Sequence, residues 1–185
     1  MTLWRVLFVS PAVAAMAAAG FAAFTVLGAR RLRKAPDSTN RVLRLALGAW
    51  MLLVLVATLY PEQPLGSSHE PINWHPGEQF SSPGVDQFEL DLLTRQYLGN
   101  AAMFVPLGTL GWLLTRRSFL TFICCAGFSA AIESIQQIMA AGRSADIDDL
   151  LCNSGGALVG LTLAAVSWLG IGLFERANVD TARIH

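Results

Sequence analysis

Residues Phe119 to Ala141 read FLTFICCAGFSAAIESIQQIMAA, an apolar run long enough to cross a bilayer, with one carboxylate, Glu133, inside it. An ionisable side chain within a bilayer span costs roughly 2.5–3.5 kcal/mol on insertion scales, so it normally faces a protein interior or a wet cavity beside a partner. A polar group follows directly: Gln136, Gln137, Arg143, Asp146, Asp148, Asp149 and Asn153. Glu133 and this group form the candidate site.

Working outward, the 185-residue chain is 54% hydrophobic and 14% charged, against about 25% charged in ordinary soluble domains. Five apolar stretches are expected to span a membrane: roughly Leu3–Gly28, Val42–Tyr60, Tyr97–Thr115, Ser118–Ala141 and Leu150–Phe174. The expected fold is therefore all-α, a polytopic transmembrane bundle forming a single domain. A net charge of zero gives no electrostatic case for nucleic acid as a partner. Cys124, Cys125 and Cys152 have no metal-binding or redox spacing, so they read as small apolar packing, and no metal or cofactor is expected.

Charge is sorted along the chain. Arg30, Arg31, Arg33, Lys34, Arg41, Arg44, Arg116, Arg117, Arg176 and Arg183 all fall on one face of a five-span bundle. The positive-inside rule makes that face cytoplasmic, with the amino terminus outside and the carboxyl terminus inside. The other face receives Glu62, Glu70, Glu78, Asp86, Glu89 and Asp91 from a Pro-rich loop, residues 61–96. Within it, Val85–Arg95 has the spacing of a short interfacial helix, and Trp74 beside His75 suits the headgroup layer. A cleavable signal peptide is a rival reading of the first stretch, but cleavage would put the Arg30–Lys34 cluster outside, against the charge bias.

Helical periodicity then aligns the polar residues. Asp146, Asp149, Asn153, Gly156 and Gly160 follow one another at intervals of three and four, which is one helix face. Asp148 falls off that face and reads as a solvated or capping residue. Glycines Gly156 and Gly160 allow a helix to approach closely. Ser129, Glu133 and Gln136 share a face of the fourth span, and Asn100, Phe104 and Gly108 one of the third, where Pro106 should kink the helix or free a carbonyl. At 1.5 Å per residue, Glu133 lies roughly 12 Å and Asn153 roughly 6 Å from the outer end of their spans. Three spans thus bring polar groups toward one level. Three arrangements stay open there: Arg143 in bidentate contact with a carboxylate, a divalent cation held through oxygens, or a Glu133 kept protonated by desolvation.

The stretch from Asn100 to Gly108, NAAMFVPLG, resembles the N-x-x-x-F-x-P-x-G signature of VanZ-like membrane proteins. Glu133 and Gln136 match that family's E-x-x-Q. Arg143, Asp146 and Asp149 match its R-x-x-D-x-x-D, and Asn153, Gly156 and Gly160 match the N-x-x-G-x-x-x-G that follows. Together these cover residues 97–163, which would be the VanZ-like core. The resemblance implies a multi-pass protein of the plasma (inner) membrane with an extracytoplasmic polar site. A named member of the family is associated with resistance to the glycopeptide teicoplanin, a link that carries over by resemblance only. No reaction comes with the family.

On these residues the expected function is recognition of a cell-envelope lipid or lipid-linked glycan, with membrane lipids as partners. Its site is Asn100, Glu133, Gln136, Arg143, Asp146, Asp149 and Asn153, with Pro106, Gly108, Gly156 and Gly160 governing helix packing. An intramembrane enzyme using Glu133 as acid or base is one alternative, although no nucleophile and base are spaced for it. A structural or assembly subunit, joined to a second copy or another membrane protein through the glycine face, is the other.

Overall fold

The computed structural model describes residues 11–61, 63–67, 71–81, 84–142 and 145–184. Within them the chain is helical: α1 Pro11–Lys34, α2 Pro36–Leu59, the single turn α3 Glu78–Ser81, α4 Gln87–Thr115, α5 Ser118–Met139 and α6 Ile147–Ile184. Four helices are long and apolar enough to cross a membrane: α2, α4, α5 and the Ile147–Asn178 part of α6. The opening residues of the expected first span lie outside the described residues. Its remainder, α1, runs past Gly28 to Lys34 without a break.

Local chemistry sets the helix ends. Ala35 lies outside the helical region (φ −144°, ψ 75°), which proline disfavours in the residue before it, and Pro36 opens α2. Asp86 and Glu89 form a reciprocal capping box at the start of α4. The strength of that cap explains why the expected interfacial helix, Val85–Arg95, is no separate element. It is continuous with α4, whose 29 residues reach about 44 Å at 1.5 Å per residue and so overhang a hydrocarbon core about 30 Å thick. Arg116 (φ 57°) ends α4 and Ala140 (φ 45°) ends α5, both left-handed, so each chain reversal is short.

α4 is the axis of the bundle. Of its candidate span 56% is buried, against 17% for α2 and 28% for α5 and α6. α6 runs parallel to it, with α5 as the antiparallel connector. The glycines make this pairing possible. A Cβ on Gly156 would stand 1.9 Å from the Ala101 carbonyl oxygen, and one on Gly160 would stand 2.0 Å from that of Val105. From the other side, a Cβ on Gly108 would meet the Ala157 oxygen at 2.1 Å. The hydrogen in each Cβ position points at a carbonyl oxygen, which is the geometry of a Cα–H···O contact. Thr109 Oγ1 donates to the Gly160 carbonyl and adds a conventional bond to the seam. The close approach predicted for Gly156 and Gly160 is therefore made within the chain, by α4.

Pro106 stays inside α4 without ending it. Just before it, the Met103 carbonyl accepts the indole N–H of Trp50 from α2, so a neighbouring helix supports the ladder where proline weakens it. Two apolar clusters stack along the axis. One gathers Leu43, Leu110, Leu113 and Leu161, the other Val54, Phe104, Leu107 and Ile132. The α2 residues Leu45, Leu52, Leu53 and Val56 point outward, as a lipid-facing surface would.

Candidate functional site

The polar site forms at the end of the bundle that carries the 61–86 loop, where α5 reverses into α6. α5 leaves carbonyls unpaired at its C-terminus, and the loop supplies donors. Gln63 N–H bonds to the Ala141 oxygen and Gly66 N–H to that of Met139. Further along, Asn73 N–H donates to the Ala145 carbonyl and Ile147 N–H to that of Asn73, a short parallel bridge that seats the loop on the start of α6.

Asp146 stands immediately before α6 and caps it, accepting the Asp148 N–H through Oδ1 at 2.8 Å. The same oxygen accepts from Asn73 Nδ2 at 3.2 Å, and Oδ2 accepts from Gln79 Nε2 at 2.6 Å. Its own backbone N–H donates to Glu133 Oε2 at 3.1 Å, which ties α5 to the α6 cap. Burial raises the Asp146 carboxyl above its ordinary range. The Asp148 amide and Asn73 pull it back down, while the Asp148 charge adds to the rise. Beside it, Gln137 Oε1 accepts the Ala145 N–H.

Asp148 is 8% exposed, and the expectation of a solvated residue is corrected. Its two oxygens accept the Gly77 N–H at 3.1 and 2.9 Å, and Oδ2 accepts from the Tyr97 hydroxyl at 3.3 Å. The helix wheel places it off the Asp149 face correctly, but that other face meets the folded-back loop instead of water. Tyr97 in turn packs on Phe80 of α3, ring centroids 5.3 Å apart. The positive partial charge at the N-terminus of α6 offsets part of the cost of gathering acidic groups here.

Of the expected site residues, Glu133 and Asp146 meet directly, and Asn100 Nδ2 of α4 donates to Asp149 Oδ1 of α6 at 2.5 Å. Asn153 lies one turn deeper on the Asp149 face, 3% exposed, its Nδ2 donating to Ser129 Oγ of α5 at 2.9 Å. Its Oδ1 is buried with no hydrogen-bond partner among the described residues. Gln136, buried one turn along α5 from Glu133, makes its described side-chain hydrogen bond toward α2. Its Nε2 donates to the Thr58 carbonyl, one of the last-turn carbonyls that α2 cannot satisfy itself. Arg143 lies outside the described residues. His75 sits at the surface, 3.4 Å from Glu78.

Asn73, Gly77, Gln79 and Tyr97 complete the site and were not expected. The loop residues join through long-range contacts, which no periodicity announces; Tyr97 is one turn before Asn100 on α4 and could have been found from that spacing. Trp74, Phe80 and Phe88 are exposed around the cap and give it an aromatic rim. Among the described residues no group of three or more His, Cys, Asp and Glu is arranged to hold a metal ion.

Chemically the cluster is a set of hydrogen-bond acceptors in a mostly apolar surround, suited to hydroxyl, amide or ammonium donors. No curated protein and no solved structure matches the chain. The family model described as VanZ/LLP1 matches residues 43–169, a wider stretch than the four motifs and one that takes in most of α2 and the capping loop. On that match, which covers more than half of the sequence, the chain belongs to the VanZ/LLP1 family.

Proposed function

We propose that the protein recognises an envelope lipid or lipid-linked glycan at the polar layer formed by Asn100, Glu133, Asp149 and Asn153, beneath a cap pinned by Asp146 and Asp148. The observation that carries this reading is the Asn153 Oδ1 atom. Among the described residues this buried acceptor has no partner, a state that costs about 1–3 kcal/mol, and its side chain sits between α5 and α6, one turn from the Asn100–Asp149 pair of α4 and α6. A hydroxyl-rich headgroup would satisfy it while its tails remain among the acyl chains beside α4 and α6. The aromatic rim suits a site at the headgroup level.

This reading includes a five-span topology in the plasma membrane, the loop outside and the arginine-rich ends in the cytoplasm. It treats residues 97–163 as the recognition core. Arg143, placed by sequence between Glu133 and Asp146, would add a cation for a phosphate or carboxylate. A role in glycopeptide resistance would follow if the bound molecule is the drug's own target or its carrier.

The test is binding of purified protein in nanodiscs to a polyprenyl-phosphate-linked disaccharide, with the same nanodiscs lacking it as reference. Glu133→Gln and Asp149→Asn should each weaken binding about tenfold, the factor for one charge-assisted hydrogen bond, while thermal unfolding stays near wild type. A second reading, helix locking with no ligand, is favoured by the loop donors that Asp146 and Asp148 already accept, Asn73, Gln79 and Gly77. It predicts no glycan binding and a large loss of stability in both variants.

A further inference from the structure

At the opposite end of the bundle a second group of charges is drawn in, and the proposed recognition site does not use it. Arg116 closes α4 and Arg33 lies in the last turn of α1. Both guanidiniums stack on the indole of Trp168 in α6, with Cζ atoms 3.3 Å (Arg116) and 4.2 Å (Arg33) from its centroid. Arg116 also lies 4.8 Å from the Trp112 ring. Arg33 is anchored through Nη1 to Glu175 Oε2 at 2.9 Å and through Nη2 to the Trp168 carbonyl at 2.8 Å. Gly172 makes room for it, since a Cβ there would stand 2.6 Å from Nη2.

Two cations thus share one indole, and among the described residues only Glu175 is within ion-pair distance of either. Arg33 Nε and Arg116 Nη1 are buried there without a hydrogen-bond partner among the described residues. Burial and the neighbouring Arg33 charge lower Arg116 to about 10, so it stays charged at neutral pH. Nearby in sequence Arg30, Arg31, Lys34 and Arg117 add further positive charge. Among the described residues the arrangement holds two guanidiniums against one carboxylate, and guanidinium N–H donors have the forked geometry that fits phosphate oxygens. It also sits where α1 and α4 end, and basic pockets between helices at a membrane surface bind anionic headgroups.

We propose that the notch formed by Arg33, Arg116 and Trp168 binds a phosphate anion, supplied by an anionic phospholipid headgroup or by free phosphate.

The test uses the full chain in phosphatidylcholine nanodiscs, in which the lipid's own ammonium neutralises its phosphate. One arm adds phosphatidylglycerol and another adds inorganic phosphate. Binding is read from tryptophan emission, since Trp112 and Trp168 flank the notch, and from anions retained in native mass spectra. Saturable binding is expected in at least one arm. Phosphatidylglycerol alone identifies the lipid as source, and a response to inorganic phosphate as well identifies the free anion. Arg116→Gln should weaken binding about tenfold. Gly172→Ala, which displaces the Arg33 guanidinium but keeps every charge, should weaken it severalfold. Arg117→Gln removes an exposed neighbouring charge and should change it less than twofold. Saturation in neither arm, or equal losses for Arg116→Gln and Arg117→Gln, overturns the proposal in favour of diffuse surface charge.

Discussion

Alanine at Gly156 adds a single methyl group, and the geometry of the α4–α6 seam fixes what that methyl meets. It would stand 1.9 Å from the Ala101 carbonyl oxygen, about 1.5 Å short of ordinary contact. The obstacle is backbone on the most buried helix of the bundle, so no rotamer change relieves it and the helices must part. A gap of 0.5–1 Å already forfeits a quarter to a half of the dispersion attraction across an interface, and overpacking of this kind costs about 1–3 kcal/mol. Against that, alanine gains up to about 1 kcal/mol over glycine within a helix. With a backbone obstacle the upper part of the range applies, leaving a net loss of about 2 kcal/mol. The neighbouring Gly155 supplies the control, because a Cβ there meets nothing within 4 Å. Gly155→Ala should keep the helix-propensity gain and be neutral or stabilising. Reversible unfolding of detergent-solubilised protein, followed by circular dichroism under increasing denaturing detergent, measures both. Equal effects of the two substitutions, or a stable Gly156→Ala, would refute the claim that backbone contact at this glycine holds the pair.

Two other outcomes can be checked. Asp148→Ala removes the acceptor for Gly77 N–H and Tyr97 Oη. Limited proteolysis should then cut residues 71–81 much faster while the helices resist as before, and unchanged cleavage would show that the loop is held elsewhere. Asp146 has a folded-state pKa above the usual 3.8, so the folded protein holds this proton more tightly than the unfolded chain. Its contribution to stability is fully present below pH 3.8 and is lost as pH rises through the folded value. The stability of wild type relative to Asp146→Asn should therefore fall as pH rises from 3.8 through the folded-state pKa, and the opposite slope in matched unfolding curves would contradict the burial argument.

The helical bundle was legible because its signals repeat. Apolar runs marked the spans, and the three-and-four spacing of Asn153, Gly156 and Gly160 placed the closest helix contact on the correct face. The meeting of polar groups from α4, α5 and α6 also followed from depth and face, although the particular partner of Asn100, Asp149, did not. What escaped depends on contacts with no period. Asp148 looked solvated because a helix wheel shows direction but not what covers that direction, and the cover is a loop from far earlier in the chain. Gln136 shares a face with Glu133, yet the carbonyl nearest to it is the unpaired one at the end of α2, and its amide goes there. Arg33 and Arg116 read as topology markers alone, since nothing in their spacing shows that both would stack on Trp168.

The parallel pairing of α4 with α6 has a consequence for biogenesis. Asn100 and the carbonyls of Ala101 and Val105 emerge from the ribosome well before the glycines that will cover them. The whole of α5 must be synthesised and turned back before that partner arrives. During this interval α4 carries an unsatisfied amide and must be sheltered by the insertion machinery or a chaperone. Truncation after α5 should therefore yield a chain that is inserted but rapidly degraded, and supplying residues 145–184 as a separate polypeptide should rescue it.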